Sequence, residues 1–331
     1  MENPLITVSM TVYNGENHIK ESIDCILNQT FKNIELLIIN DGSTDRSIEI
    51  IDKYLDSRIR ILHNEKNSGV RFSRNRAVYE AKGKYIAILD CDDLTANNRL
   101  EIQYNYLEAN PDIAICGTWG TIINENGVTT NNTITHSYIP EHINIEMLFT
   151  NQFINSSVMF KTQAGKDIGG YSDIEAPEDY AFFAKISEKF KMSNIPEFLV
   201  QYREHSNGIS KTKIKLFREG EIEVLKNLYK KFSLPINLIY VAHSFTKSDF
   251  SDVTENDATT FFKHIICMNK KRKIFPTKSF NFIVFPKWQT LITEKKHKQG
   301  QLELYKTAFL NNYTLSWKQK RKLFKYLIKF N

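Results

Sequence analysis

The sequence is poor in cysteine and has no long hydrophobic run. Its four cysteines, at positions 25, 91, 116 and 267, lack C-x-x-C spacing, which argues against a disulfide framework and favours reduced thiols in a cytoplasm. No stretch approaches the roughly 18–20 consecutive apolar residues of a membrane span. The first residues lack a basic flank and a cleavage site, so we expect no secretion signal and treat Asn155-Ser156-Ser157 as a chance glycosylation match.

Acidic residues are almost absent from the end of the chain. Residues 263–331 hold 17 lysines and arginines against Glu294 and Glu303, whereas the remaining 262 residues hold 27 basic and 36 acidic residues. The whole chain, with 331 residues, 41% hydrophobic and 25% charged, is typical of a globular protein with one large domain and an appendage, or with two domains. An acidic body and a basic tail predict two tasks.

Strands and helices alternate over the first 115 residues. Continuous apolar runs predict strands, and apolar residues at helical spacing predict the helices between them. This rhythm predicts an α/β fold with a doubly wound, mostly parallel sheet, which binds ligands at the carboxyl ends of its strands. The predicted strands are Ile6–Val12, Ile34–Ile39, Ile59–Leu62, Tyr85–Leu89 and Ile113–Cys116, and the predicted helices are Glu16–Asn28, one begun by Ser43 or Asp45, Ser73–Ala81 and Asn97–Glu108.

Three carboxylates, Asp90, Asp92 and Asp93, directly follow the fourth predicted strand. Such a cluster suits Mg²⁺ or Mn²⁺, which often bridge carboxylates and the phosphates of a substrate. The alternative is an acidic turn that caps the next helix. Tyr13 follows the first strand and Asp41 the second, so we expect all of these residues at one edge of the sheet. Their agreement on one edge favours a ligand site.

Residues 117–211 are less regular. Asn155–Phe160 is predicted as a strand, and Pro177-Glu178-Asp179 is predicted to open a helix. Phe198–Tyr202 is predicted as a strand that leads into Arg203-Glu204-His205-Ser206. From residue 212 onward the pattern is helical and increasingly basic.

Several motifs occur in a fixed order: Val8–Glu16, Leu27–Phe31, Ile39–Asp45, Asn67-Ser68-Gly69, Ser73-Arg74-Asn75, Asp90–Asp93, Glu178-Asp179, and Tyr202-Arg203-x-His205 with Ile209-Ser210. With these residues in place, the chain resembles glycosyltransferase family 2, the inverting transferases of GT-A fold, over about residues 5–211. The resemblance implies a Rossmann-like GT-A domain at 1–211, with a nucleotide-sugar half at 1–116 and an acceptor and catalytic half at 117–211. A helical basic region would follow at 212–331.

The resemblance implies a nucleotide diphosphate sugar as donor, most often a UDP-sugar in this family. Tyr13 would stack on the base, and Asp41 would accept the N3–H of uracil in a charge-assisted hydrogen bond. Asp90 would hold the ribose hydroxyls. Thr11 and Cys91 complete the expected donor-binding set, with Cys91 as a space-filling residue rather than a metal ligand, because thiolate suits Mg²⁺ and Mn²⁺ poorly.

Arg71, Arg74 and Arg76 have a spacing that cannot place all three on one helix face. Arg74 matches the Arg-Asn pair of the family, so it is expected to bind in the donor site, where it would support the Asp41 or Asp90 loop or approach the diphosphate. Arg71 stands where a small residue is expected, and its role stays open.

The resemblance also implies a divalent metal, Mn²⁺ or Mg²⁺, and a general base. Asp92 would bind the metal at the donor phosphates, and His205 would complete its shell, unless His205 is a surface histidine in a loop. Asp93 would orient the waters of the metal or cap the next helix. Asp179, supported by Glu178, would take the proton of the attacking hydroxyl, an effect worth about 10²–10⁴ in rate; alternatively both acids only favour the helix dipole.

The expected reaction is a single displacement that moves a sugar from a UDP-sugar to a saccharide or lipid-linked oligosaccharide acceptor. The finer likeness is to bacterial enzymes of lipooligosaccharide, capsule or O-antigen synthesis, with β-N-acetylglucosaminyl or galactosyl transfer favoured. The alternative is a non-catalytic nucleotide-sugar-binding or assembly protein of the same fold.

The last predicted helix, Trp317–Phe330, gathers apolar residues on one side and basic residues over much of the remainder. This pattern favours an interfacial helix on an anionic leaflet, and hence a cytoplasmic protein that is peripheral on the inner face of the bacterial membrane. A helix packed on the body is the alternative. Lysine clusters permit nucleic-acid binding, but no recognised motif supports it, so we expect no nucleic-acid partner.

Overall fold

The computed structural model describes residues 3–205, 212–294, 298–311 and 313–321. The chain divides into two compact units. The sheet unit consists of residues 1–143 and 152–220, and the helical unit consists of residues 144–151 and 221–331. Residues 144–151 therefore leave the sheet unit for the helical unit, although no composition change in the sequence marks this excursion.

One sheet of nine strands, counted over the described residues, lies at the centre of the sheet unit. The strands are β1 (Ile6–Val12), β2 (Ile34–Asn40), β3 (Ile59–His63), β4 (Tyr85–Ile88), β5 (Leu94–Thr95), β6 (Ile113–Ile123), β7 (Thr129–Ile134), β8 (Met159–Lys161) and β9 (Lys191–Arg203). Their spatial order is β3-β2-β1-β4-β8-β6-β9-β5, with β7 paired to β6. The first four strands run parallel, as predicted. Beyond β4 the sheet is mixed, because β8 is antiparallel to both of its neighbours.

Helices connect these strands. They are α1 (Ile19–Leu27), α2 (Ser47–Ile51), α3 (Val70–Glu80), α4 (Arg99–Ala109), α5 (Pro140–Glu146), α6 (Thr162–Asp167) and α7 (Glu178–Ser187). In α1 the residues at helical spacing, Ile19, Ile23 and Ile26, are fully buried in the main core cluster. The helix predicted to be capped by Ser43 or Asp45 begins at Ser47 with Arg46 as its N-cap residue, and the Asp45 carboxylate accepts the Ser47 N–H at 3.0 Å.

Three sequence predictions in this unit are corrected. The predicted strand Phe198–Tyr202 is the end of a longer strand, β9, which begins at Lys191. The predicted strand Ile113–Cys116 continues to Ile123, because Gly117 ends the apolar run in the sequence but lies inside the sheet. A Cβ at Gly117 would collide with the Asn194 side chain, so only glycine fits there. The predicted strand Asn155–Phe160 is wrong in its first half: a 3₁₀ turn occupies 155–157, and the strand begins at Met159.

The core of the helical unit contains stacked aromatic rings. Its helices include α9 (Ile239–Thr246), α10 (Glu255–Arg272), α11 (Thr277–Glu294) and α12 (Lys298–Leu310), preceded by α8 (Ile214–Tyr229). The Trp288 and Phe262 rings, both fully buried, stack with their centres 5.3 Å apart. Searched over the described residues, the structure has no helix with the length and apolarity that a membrane crossing requires.

Only the start of the predicted C-terminal amphipathic helix lies within the described residues. Residues 317–321 are helical, and Trp317 is 74% exposed. The Arg321 guanidinium lies 5.5 Å from the centre of the Trp317 ring. Residues 322–330, together with Ser206 and the motif residues Ile209 and Ser210, lie outside the described residues.

Candidate active site

The loops after β1 and β2 bond to each other at the carboxyl edge of the sheet. The Asn14 side-chain oxygen accepts the Thr44 N–H at 2.8 Å, and the Asn14 N–H donates to Ser43 Oγ at 3.1 Å. These bonds fix the end of β1, where Thr11 is half-buried and the Tyr13 side chain is 49% exposed. An aromatic ring is thereby left open to a ligand at this edge.

Asp41 is held by three hydrogen bonds at the end of β2. Its Oδ1 accepts from Asn64 Nδ2 at 2.7 Å and from the Ser68 N–H at 2.9 Å, and its Oδ2 accepts the Gly69 N–H at 2.9 Å. Asp41 is 4% exposed. A carboxylate offers about four acceptor positions, so these bonds leave room for one further donor on Oδ2.

Asp90 and Glu178 share one buried arginine. Arg74 Nη2 donates to Asp90 Oδ1 at 2.8 Å, and Nη1 donates to Glu178 Oε1. Asn155 Nδ2 donates to the other Asp90 oxygen at 2.9 Å, and so does the Ser156 hydroxyl at 3.2 Å. Burial by itself raises the pKa of Asp90, but the Arg74 charge and these hydrogen bonds hold that pKa below its usual value. Asp90 therefore stays an ionised acceptor.

The three arginines of α3 contact different partners, which agrees with the prediction that they do not all lie on one helix face. Arg74 lies between the two acids just described. Arg71 Nη1 lies 3.4 Å from Asp173 on the surface, and Arg76 Nη1 donates to the His63 carbonyl at 2.6 Å. Arg71 thus contacts an exposed carboxylate rather than the Asp41 or Asp90 loop.

Cys91 lies half-buried between the acids. Burial raises the pKa of its thiol well above the usual value, and the neighbouring aspartates raise it further. A Cβ placed on Gly15 would lie 3.1 Å from Cys91 Sγ, so the sulfur fills the space beside that glycine. This contact agrees with the prediction that Cys91 is a space-filling residue, since thiolate suits Mg²⁺ and Mn²⁺ poorly.

Asp93 is directed into the protein. Its carboxylate accepts the Arg203 N–H at 2.7 Å and the Ser156 hydroxyl, and it is 1% exposed. Burial first, and then the charges of the two neighbouring aspartates, raise the pKa of Asp93 well above its usual value. The helix-capping alternative is wrong, because the next helix, α4, begins only at Arg99. Asp93 therefore links the acidic loop, residues 90–93, to β9.

Asp92 and His205 meet where the acidic loop approaches the end of β9. His205 Nε2 lies 2.8 Å from Asp92 Oδ2, and this hydrogen bond raises the pKa of His205. The two side chains are 28% and 34% exposed. Arg203 Nε donates to the Asp92 carbonyl at 2.7 Å, and the His18 ring centre lies 5.5 Å from that of His205. The pair is fixed in place yet open to solvent.

The donor set of this pair fits a divalent cation. A carboxylate oxygen and an imidazole nitrogen that converge at an open edge suit Mg²⁺ or Mn²⁺. Across the described ranges no group of three or more His, Cys, Asp or Glu side chains could hold a metal ion. Mg²⁺ in enzymes commonly binds to one or two carboxylates and completes its shell with substrate phosphates and water.

Asp179 lies in the first turn of α7, beside Glu178. It is half-buried, and its Oδ1 accepts the Tyr180 N–H at 2.7 Å. Burial first, and then the Glu178 charge, raise the pKa of Asp179 to about 7, although the Arg74 charge acts in the opposite direction. A carboxylate with a pKa near neutrality suits general-base chemistry.

Comparisons with known proteins identify the family of the chain. Residues 7–165 match the family model described as Glycosyl transferase family 2. An uncharacterized glycosyltransferase of Methanocaldococcus jannaschii is 34% identical over 245 residues, which cover 72% of this chain and 84% of the relative. One from Haemophilus influenzae is 35% identical over 226 residues, covering 63% and 69%. The chain belongs to glycosyltransferase family 2. It is a glycosyltransferase.

Solved structures extend the comparison to the fold. Staphylococcus aureus TarS 1–349 in complex with UDP-GlcNAc matches with a TM-score of 0.60 and 18% identity, covering 89% of the glycosyltransferase described here and 92% of TarS. The mannosyltransferase PcManGT from Pyrobaculum calidifontis, in complex with GDP-Man and Mn²⁺, matches with a TM-score of 0.52 and 15% identity, covering 100% and 89%. The predicted GT-A fold with a helical C-terminal region is confirmed.

The structure adds residues to the site of this glycosyltransferase that the sequence did not single out. Asn155 and Ser156, taken as a chance match, bond Asp90. Arg99 is fully buried and donates to the Ser156 and Ile88 carbonyls, which fixes the 3₁₀ turn against β4. The polar run Asn-Ser-Ser before an apolar strand was the available signal, because such runs form turns.

Proposed function

We propose that this glycosyltransferase moves a sugar from a UDP-sugar to a hydroxyl of a saccharide acceptor, with inversion at the anomeric carbon and Asp179 as general base. The observation that carries the proposal is the place of Asp179, a half-buried carboxylate in the first turn of α7 whose Oδ1 accepts the Tyr180 N–H at 2.7 Å; burial raises its pKa to about 7. The helix that carries Asp179, α7, begins at Glu178. Glu178 and Asp90 both form ion pairs with Arg74 at the edge of the sheet. A base poised near neutral pH therefore lies next to the proposed donor site.

The donor proposal rests on Asp41 and Tyr13. The acceptor position left on Asp41 Oδ2 suits an imide N–H, which uracil has, and the exposed Tyr13 ring suits a base as stacking partner. Asp90 would accept hydrogen bonds from the ribose hydroxyls. The neighbour TarS, in complex with UDP-GlcNAc, supports a UDP-sugar. PcManGT, in complex with GDP-Man, makes GDP-Man the donor to test against it.

Asp92 and His205 would hold a divalent cation, Mn²⁺ or Mg²⁺, with PcManGT as a neighbour that has Mn²⁺ in its structure. Such a cation supplies positive charge to the departing diphosphate. The residues of the chain do the remaining work. Asp179 accepts the proton as the acceptor oxygen forms its bond to the anomeric carbon, and the bond from that carbon to the diphosphate breaks on the opposite face. The products are the glycoside and UDP.

The first experiment measures release of the nucleoside diphosphate. The full chain is incubated with UDP-Gal, UDP-GlcNAc, UDP-Glc, UDP-GalNAc or GDP-Man, with Mn²⁺ or Mg²⁺ and saccharide acceptors. We expect turnover with a UDP-sugar, with GlcNAc or Gal favoured, and loss of turnover on chelation. Turnover with GDP-Man alone would contradict the assignment of uracil as the nucleobase of the donor.

The second experiment separates catalysis from the alternatives. Asp179→Asn is compared with Glu188→Gln at the other end of α7. We expect only the Asn variant to lose turnover, with donor binding retained. If Asp179 only favoured the helix dipole, the Asn variant would lose stability but keep its rate. Donor binding by the parent without any turnover would favour the non-catalytic binding or assembly protein.

A basic surface on the helical unit supports peripheral association with an anionic membrane, where a lipid-linked acceptor would lie. This surface is made of two segments, residues 230–236 and 267–278. Arg272 of the second segment donates to the Lys231 carbonyl at 2.7 Å and to Ser233 Oγ at 2.8 Å in the first. Residues 230–236 and 267–278 contain no acid, and Ile236 is 70% exposed. Each basic residue near an anionic leaflet contributes about 1 kcal/mol. The basic surface consists of Lys230, Lys231, Lys270, Lys271, Arg272, Lys273 and Lys278.

A further inference from the structure

Two adjacent residues of α3 contact both sides of the site. Arg74 bonds Asp90, which follows β4, and Glu178, which opens α7. The Arg74 and Glu178 side chains are 9% and 10% exposed, so this contact is shielded from solvent. Ion pairs removed from water are screened little by salt and depend on geometry. Arg74 is thus a fixed link between the two halves of the site.

Asn75 makes the second contact. Its Nδ2 donates to the Tyr171 carbonyl at 3.1 Å, and its Oδ1 accepts the Tyr171 N–H at 2.8 Å. The Tyr171 ring stacks on Phe182 of α7, with ring centres 4.2 Å apart. Gly170 has a φ of 66°, and a Cβ there would collide with Asn75 Oδ1. The approach of α3 to the segment before α7 is therefore close and specific.

We propose that Arg74 and Asn75 form a positioning clamp that holds the first turn of α7, and with it Asp179, in a fixed place beside the donor carboxylate Asp90. The clamp rests on the proposed function, because it acts through Asp179 as base. It assigns the Arg-Asn pair to the geometry of the catalytic helix rather than to the diphosphate. Neither residue needs to touch the substrate for this role.

The charges around Asp179 give the clamp a measurable signature. Glu178 on α7 opposes ionisation of Asp179, whereas Arg74 on α3 favours it. Asp90 after β4 also opposes it, and Tyr171 before α7 and Tyr202 on β9 face the same carboxylates. A charge within about 4–6 Å moves a pKa by about 1–3 units, so removing Glu178 or Arg74 has opposite effects on the base.

The test is the pH profile of kcat for the full chain with its UDP-sugar. We expect E178Q to move the acidic limb to lower pH by about one unit and R74Q to move it to higher pH by about one unit. The double variant R74Q/E178Q is expected near the parent, because the opposing charges are lost together. Arg71→Gln, on the same helix but paired with exposed Asp173, is the control and leaves the limb in place.

A variant without charge change tests the clamp itself. Asn75→Ala removes both bonds to Tyr171, and we expect a fall in kcat with unchanged donor KM and an unmoved acidic limb. R74Q leaves two carboxylates without the arginine that they share, so the folding of this variant is checked by circular dichroism. If R74Q does not fold, the shift of the acidic limb in E178Q alone tests the effect of charge. Unmoved limbs in E178Q and R74Q, or an unchanged kcat in Asn75→Ala, would overturn the clamp.

The outcome is distinct from failure of the proposed function. If Asp179→Asn retains the parent rate, Asp179 is not the base, and the proposed function fails with the clamp. If Asp179→Asn is inactive while the limb stays fixed in both charge variants, Asp179 remains the base, and only the clamp is wrong.

Discussion

The sheet unit and the helical unit bury different chemistry. The sheet unit contains buried charged residues, among them Asp41, Asp93, Arg74 and Arg203, and each has hydrogen-bonding partners at defined distances. The core of the helical unit is aliphatic with a cluster of stacked aromatic rings, and its lysine clusters lie on the surface. Buried charge is costly unless it is paired, whereas apolar burial is favourable and does not depend on direction. Replacing one polar atom in the sheet unit should therefore change activity. In the helical unit, a change in the volume of a buried side chain should change the free energy of unfolding.

The largest expected effect is that of Asp179→Asn in the sheet unit. Loss of the general base is expected to lower kcat by about 10²–10⁴ at pH 8. The thermal stability of the variant, by contrast, is expected to equal or exceed that of the parent. The folded pKa of about 7 lies above the ordinary carboxyl value, so ionisation destabilises the folded parent as pH rises from about 4 to about 7. The Asn variant should melt at or above the parent at pH 8, measured by calorimetry; a clearly lower melting temperature would contradict this reading.

Trp288→Ala tests the helical unit. Trp288 is fully buried and stacks on Phe262, so truncation should lower the free energy of unfolding by about 3–5 kcal/mol, measured by urea titration. Trp317→Ala is the matched control, since that side chain is 74% exposed, and should stay within about 0.5 kcal/mol. In both variants the acidic limb of the kcat profile should keep its pH. A moved limb would mean that the comparison between the units is wrong.

Ser156→Ala removes one hydroxyl from the sheet unit. That hydroxyl has one proton, which lies within hydrogen-bonding distance of both Asp93 and Asp90, so its loss leaves the buried Asp93 carboxyl with one partner fewer and should cost about 1–3 kcal/mol. Because Asp90 is the proposed ribose acceptor, donor KM should rise as well. Ser187→Ala, at the C-terminal end of α7, where the half-buried hydroxyl donates to the Ala184 carbonyl at 2.6 Å, serves as control. Unchanged donor KM together with unchanged stability would separate Ser156 from the site.

The smallest effect is expected at the basic surface. K270E/K271E/K273E should lower binding of the full chain to phosphatidylglycerol vesicles by at least about tenfold, since each basic residue contributes about 1 kcal/mol near such a surface. K32E/K53E/K82E makes the same change in net charge on the sheet unit and should bind nearly as the parent does. Equal losses in both variants, or loss of DNA binding without loss of vesicle binding, would contradict membrane docking. Deleting 316–331 tests the tail in the same assay.

The sequence predicted the parts of the sheet unit that depend on local pattern. The apolar runs of β1 to β4 and the polar residues that follow them, such as Asp41 and Asp90, are readable because burial and strand period act over a few residues. The Glu178-Asp179 helix start was readable for the same reason. These elements fix where the site lies.

The hydrogen-bonding and ion-pair partners of the site residues could not be predicted from the sequence. Asp93 binds Arg203, 110 positions away, and Arg74 binds Glu178, 104 positions away. No spacing rule links residues so distant, because their contact depends on how the strands order in the sheet. The 3₁₀ turn at 155–157 was missed because the apolar run that follows it, Val158–Phe160, was extended backwards over three polar residues. The sequence therefore indicated which residues carry the chemistry and not what holds them.

The most direct test of the proposed function is the anomeric configuration of the product, read by proton NMR from the initial product of the parent enzyme with an α-configured UDP-sugar. A single displacement with Asp179 as base predicts a β-linked product. An α-linked product would contradict the mechanism, because it requires either two displacements or attack on the face of the leaving group.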